Sequence, residues 1–191
     1  MNYLLDFLQG LGVAAAAGAS PFLPLAVAAI AGLANLGADY EGTDFAFVES
    51  PVLLALAVVL AVVALVARRK LESELAERVL LGLGVVFGAV VAAATLADRS
   101  ETWWPGLIAG GLAALVVGLA VQSLLRRTRA RLEDEQRTLL SIGGAIGAGV
   151  VALLSIALPP VGLIAVVAGI WLFLGGRRQE TTKHAGLRIL R

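Results

Sequence analysis

The sequence predicts an all-α fold: a polytopic transmembrane helical bundle with six spans arranged as three consecutive hairpins, the first span broken by proline. Three observations predict it. The chain is 59% hydrophobic and only 15% charged over its 191 residues, with a mean hydropathy of +0.91, whereas soluble domains carry about 25% charged residues. The apolar residues fall into separate runs, most of them close to the roughly 20 residues a helix needs to cross a bilayer. Fourteen of the fifteen Lys and Arg residues lie in three regions that share one side if the runs alternate, as expected when basic residues are retained in cytoplasmic loops.

Residues 2–9 place Leu4, Leu5 and Leu8 at helical spacing around Asp6, the pattern of a short interfacial helix leading into the first span. A secretory signal needs a positively charged start. The first ten residues carry Asp6 and no Lys or Arg, so the segment reads as a retained span. That span covers residues 7–36. As one helix it would reach about 45 Å, against a hydrocarbon core of about 30 Å. It therefore either tilts and kinks or splits near Ser20-Pro21 into two half-length pieces.

The acidic connection 38–50 leads to the second span, 51–67, and the linker RRKLESELAER leads to the third, 79–97. The fourth span is 104–125, and the linker RRTRARLEDEQR separates it from the fifth, 138–157. The sixth, 160–175, is set off by Pro159-Pro160, which removes two backbone donors and favours a tight hairpin over a continuous helix. Residues 1–176 thus form one transmembrane domain, and 177–191 form a basic tail. The three basic regions then place both termini in the cytoplasm.

An internal repeat is visible. Arg78, Gly84 and Gly88 match Arg137, Gly143 and Gly147 at a constant offset of 59, and Gly106–Ala109 matches Gly162–Ala165. Pro51, Pro105 and Pro160 each open an inward-running span, at the helix start where a missing N–H costs nothing. The small-residue rows at Gly84 and Gly88, and at Gly143 and Gly147, predict close helix packing.

The chain has no cysteine and one histidine, His184 in the tail. That excludes thiolate chemistry and multi-histidine metal sites. No enzyme, cofactor or metal is expected, and a net charge of +1 gives no sign of a nucleic-acid partner. The linker charges, such as Glu72, Glu74 and Glu77 among basic residues, read as intrahelical ion pairs. Asp6, Asp98 and Glu101 fall at or beyond the span ends, so no span is expected to bury a charge. What remains is the interruption at Gly18, Ser20, Pro21, Phe22 and Pro24, placed near midmembrane by the charge map. Irregular backbone at membrane depth is buried in protein or lines a water-filled cavity, and broken helices present free backbone groups to transported solutes. The two readings are a substrate path and a kink that only shapes the bundle. The expected partners are the lipid bilayer, anionic lipid or a protein at the basic tail, and a second copy of the chain.

The stretch LLDFLQGLGVAAAAGASPFLPLAVAAIAGLANLG resembles the start of an uncharacterised bacterial membrane family, domain of unknown function 4126. The resemblance is most specific over residues 8–37, where a GLG-small-residue run precedes an SPFLPL break. It implies a helical protein of the bacterial cytoplasmic membrane and transfers no functional residue. The leading functional expectation is a small-solute or ion permease with its path at the broken first span. The alternative is a non-transporting scaffold or accessory subunit.

Overall fold

The computed structural model describes residues 3–37, 39–67, 73–97, 102–129 and 134–185, with side chains left aside at 134–135 and 176–185. Among these residues it holds seven α-helices and no strand: α1 (Tyr3–Ala19), α2 (Phe22–Leu33), α3 (Pro51–Val66), α4 (Glu74–Ala97), α5 (Trp104–Arg129), α6 (Asp134–Ala157) and α7 (Pro160–Ala185). A short 3₁₀ turn, Ala46–Glu49, precedes α3. Helices α4, α5 and the Gln136–Ala157 part of α6 are long and apolar enough to cross a membrane, with mean hydropathies of 2.5, 2.1 and 2.2 over an 18-residue stretch of each. Four shorter apolar helices accompany them: α1, α2, α3 and the Pro160–Gly175 part of α7. These helices mark a membrane protein.

Five of the expected spans appear as expected helices, several extended into the linkers. Helices α4 and α5 begin or end in charged sequence, with Glu74 and Glu77 in the first turn of α4 and Arg126, Arg127 and Arg129 in the last turn of α5. Prolines open α3 and α7. Ser50 caps α3 by accepting from the Val52 N–H at 3.2 Å.

The first segment differs. It is two helices, and the chain reverses between them. Along α1, Gly10 faces Ala92, Ala14 faces Gly88 and Ala17 faces Gly84, so α1 runs antiparallel to α4. Gly12 lies against Ser155 and Gly162, beside the Pro159-Pro160 turn. Helix α1 therefore starts at the end of the bundle that carries the inter-helix loops and descends toward the end that carries the basic linkers. Helix α2 returns. Its C-terminus is closed by two hydrogen bonds, Asn35 N–H to the Gly32 carbonyl (2.9 Å) and Leu36 N–H to the Ala31 carbonyl (2.8 Å), with Asn35 at φ 50°. This is the left-handed cap that commonly ends helices. Gly37 follows at φ 75°, and its carbonyl accepts from Gln9 Nε2 at 2.9 Å. The segment 7–36 is thus split near Ser20-Pro21, one of its two expected forms, and its two halves make a helical hairpin rather than a path from one end of the bundle to the other.

This corrects two further expectations. Tyr3 and the end of α7 lie at opposite ends of the bundle, so the two ends of the described chain do not share a side. The break also lies off the middle: Ala17 sits level with Gly84, five residues or about 8 Å from the expected start of the third span.

Helix α1 is the hub, packed by α2, α4, α5, α6 and α7. Its Val13–Ala17 run is at most 3% exposed. Small residues make this enclosure feasible, since helix association in lipid depends on close backbone approach. A Cβ on Gly84 would stand 2.5 Å from the Ala17 carbonyl oxygen, and one on Gly88 would stand 3.1 Å from that of Ala14. The corresponding Gly143 and Gly147 meet nothing within 4 Å and lie on an exposed face of α6. Their expected role in packing within this chain is not met, and the sequence correspondence with Gly84 and Gly88 does not extend to their surroundings.

Helix α3 is peripheral, packing on α2 and the 3₁₀ turn and exposing Val52, Leu56, Val59, Val63 and Val66. At the loop end, Phe45 meets Trp103 edge-on at 5.6 Å between ring centroids, joining the 39–50 loop to the α4–α5 connection.

Candidate site at the helix break

Proline chemistry sets the break. The last α1 bond runs from the Ser20 N–H to the Ala16 carbonyl (3.0 Å). Pro21 has no N–H for the Ala17 carbonyl, and Pro24 has none for that of Ser20. Pro21 itself keeps helical torsions (φ −69°, ψ −36°) and precedes α2 with no side-chain cap. The carbonyl end of α1 and the amide end of α2 thus lie side by side, with dipole ends of opposite sign.

Close approach fixes the place. The space that a Cβ on Gly18 would fill is taken by the Ala114 carbonyl of α5, and a Cβ on Gly118 would stand 2.8 Å from the Gly18 carbonyl oxygen. The break is therefore pinned against α5 at Ala114–Gly118 and against α4 at Gly84.

A cavity of about 160 Å³ lies at the break. Gly18, Ser20, Pro21 and Phe22 line it from the hairpin, joined by Leu80 and Leu81 of α4, Val121 and Leu125 of α5, and Ala61 and Leu65 of α3. Four of the five predicted site residues are thus brought together. The fifth, Pro24, is fully buried in the core and does not line the cavity. Phe22 is 7% exposed, and its ring meets that of Phe87 at 6.3 Å, tilted by 58°. Phe87 lies one turn beyond Gly84, so this aromatic pair sits on the loop-end side of the cavity.

The polar wall lies toward the basic end: Glu77 of α4, Gln122 and Arg129 of α5, and Ser141 of α6. Arg126 Nε donates to Glu77 Oε2 at 2.7 Å, and an Arg129 terminal nitrogen donates to Glu77 Oε1 at 3.2 Å. Gln122 Nε2 donates to the Glu77 carbonyl at 2.9 Å. The other Arg129 terminal nitrogen donates to Ser141 Oγ at 3.3 Å, while Ser141 donates to the Arg137 carbonyl and Arg137 Nε to the Arg129 carbonyl, both at 3.0 Å. Arg129 Nε is buried with no acceptor among the described residues. Side-chain exposure falls from 53% at Arg126 to 22% at Arg129 and 14% at Glu77. An open groove edged by Glu74, Glu77, Arg126, Arg129 and Arg137 continues from this wall.

Sequence reasoning missed this wall. Intrahelical pairing holds for Arg78 and Glu74 at 2.6 Å, but Glu77 instead pairs across helices, over 49 and 52 positions. The available signal was the position of Glu77, Arg126 and Arg129 within one or two turns of the apolar spans, where helical extensions carry them inward. Asp6 and Gln9 are also buried, at 4% and 2% exposure, although Asp6 was expected at the interface. It occupies the loop end of the central helix, where the other helices enclose it.

Side chains from residue 176 on lie outside those described, so the expected basic tail over 177–191 is not placed beyond the helical backbone of α7. Asp98 and Glu101 likewise lie outside the described residues. Among the described residues, no group of three His, Cys, Asp or Glu side chains is arranged to hold a metal ion. The arrangement combines an apolar pocket, two helix ends and a polar wall built on the Glu77–Arg129 ion pair.

No curated protein and no solved structure matches the chain. The family model described as Domain of unknown function (DUF4126) matches residues 7–178, and the chain belongs to that family.

Proposed function

We propose that this protein is a small-solute or ion permease whose path runs through the cavity at Ser20–Phe22. The observation that carries this reading is the convergence of two helix ends and a charged wall on one cavity of about 160 Å³. Re-entrant and broken helices of this kind place irregular backbone at membrane depth only where protein or a water-filled cavity receives it, and transporters use such ends to hold solutes. The positive-inside rule assigns the basic end to the cytoplasm. The N-terminus then lies outside and the basic tail inside, in the cytoplasmic membrane of a bacterium. All three basic regions stay on one side in this arrangement, now with five full crossings and one re-entrant hairpin.

The test is flux into liposomes holding the purified chain, screened with neutral, cationic and anionic small solutes. Flux that Ser20→Trp abolishes supports the reading. Absence of flux across the screen overturns it. The scaffold reading draws on the open α6 face around Gly143 and Gly147, and it is favoured if the chain carries nothing and co-purifies from native membranes in fixed ratio with another membrane protein.

A further inference from the structure

The cavity is unlike a general aqueous vestibule in two respects. Its walls near the break are hydrocarbon, from Phe22, Leu81 and Val121. Its polar side carries the Arg129 guanidinium on the carboxylate of Glu77, and Glu77 also pairs with Arg126 in the adjoining open groove. Glu77 is satisfied by both, through one oxygen each, so these three described side chains together carry one positive charge in excess. Arg129 spends its terminal nitrogens on Glu77 and Ser141 and has a buried Nε–H with no acceptor among the described residues. Buried polar groups in native proteins almost always have partners, and an exception calls for an explanation such as a ligand. The two helix ends at the break carry dipoles of opposite sign and add no net charge.

From these features we infer that the cavity binds a small carboxylate with a short apolar body. The carboxylate accepts from Arg129, including its Nε–H, and the hydrocarbon lies against Phe22, Leu81 and Val121. Charge-assisted bonds of this type are short and strong. A cation meets the excess guanidinium charge, and a fully hydrated inorganic anion gains nothing from the apolar wall. This inference names the solute class for the permease reading and rests on the same cavity.

The test uses the full-length chain in lipid nanodiscs, with calorimetric titration of butyrate, butyramide, butylamine and inorganic phosphate. Butyrate is expected to bind at least about tenfold tighter than the other three. Arg129→Lys keeps the charge and removes the Nε–H, and it is expected to weaken butyrate about tenfold. Val121→Trp, which fills the apolar side without touching the ion pairs, is expected to abolish binding and serves if the arginine variant fails to fold. Equal binding of butyramide, tighter binding of phosphate, or unchanged affinity in Arg129→Lys or Val121→Trp overturns the inference. Butyrate binding with no butyrate flux in liposomes keeps the site and removes the permease reading. Flux of neutral or cationic solutes without butyrate binding does the reverse.

Discussion

Gln9 and Gly37 are joined by a hydrogen bond of 2.9 Å across 28 positions. That contact closes the first apolar segment on itself. From Gln9 to the break, α1 descends about 15 Å, and the twelve residues of α2 climb back about 18 Å. The two arms meet where Ile156 of α6 also approaches Gly37. Gln9 is 2% exposed, so its amide is committed to this contact.

Gln9→Leu removes the donor while keeping much of the volume. It is expected to destabilise the protein by about 1 kcal/mol, the net worth of one hydrogen bond whose acceptor, the exposed Gly37 carbonyl, can turn to water. Amide hydrogen exchange should quicken at residues 34–37 and remain slow in α4. Unchanged protection at 34–37 would show that the clamp does not hold the hairpin.

The two glycine rows respond differently. Gly84→Leu drives a side chain into the Ala17 backbone and is expected to cost about 3 kcal/mol or more, with loss of monodisperse protein in size-exclusion chromatography. Gly143→Leu meets open space and should change thermal stability by less than about 0.5 kcal/mol. Equal damage at both positions would restore the packing equivalence that their matching sequences suggest.

Much of the bundle was legible because its signals are local. Helix-opening prolines at Pro51 and Pro160, the Pro159-Pro160 hairpin and the break at Ser20-Pro21 follow from missing donors and fixed torsions. The direction of the chain after that break was not legible. A proline pair shows that a helix cannot continue, yet the reversal is set by distant partners: Ala114 behind Gly18, Gly84 beside Ala17, and Gln9 holding Gly37. The charge map could not reveal it either, since a six-span chain and a five-span chain with one re-entrant hairpin put the same three basic regions together. The polar wall was hidden for a related reason. Glu77 has closer sequence neighbours in Arg78 and Lys70, and only the antiparallel packing of α4 on α5 brings it to Arg126 and Arg129.

Removing the shared carboxylate should expose that coupling. Glu77→Gln leaves Arg129 without its anionic partner at 22% side-chain exposure, and it is expected to cost about 1–2 kcal/mol. Arg126→Gln, at 53% exposure, should cost less than about 1 kcal/mol. Thermal denaturation in detergent at low and high salt separates them. A larger loss in the arginine variant would contradict the assigned burial order.

The chain has no cysteine, so single cysteines report topology cleanly. Tyr3→Cys and Asp44→Cys should react with an impermeant maleimide from the same side of sealed cells, and Arg126→Cys only after the membrane is opened. Labelling of Tyr3→Cys together with Arg126→Cys would reverse the course of α1.

The helical hairpin itself is tested most directly by one distance. Tyr3 and Leu36 are exposed, at 50% and 59%, and accept spin labels as the double variant Tyr3→Cys/Leu36→Cys. With Gln9 bound to Gly37, pulsed electron paramagnetic resonance on the chain in nanodiscs should give a separation below about 25 Å. A kinked but continuous span would place the labels about 45–50 Å apart, and a distribution centred there would contradict the account.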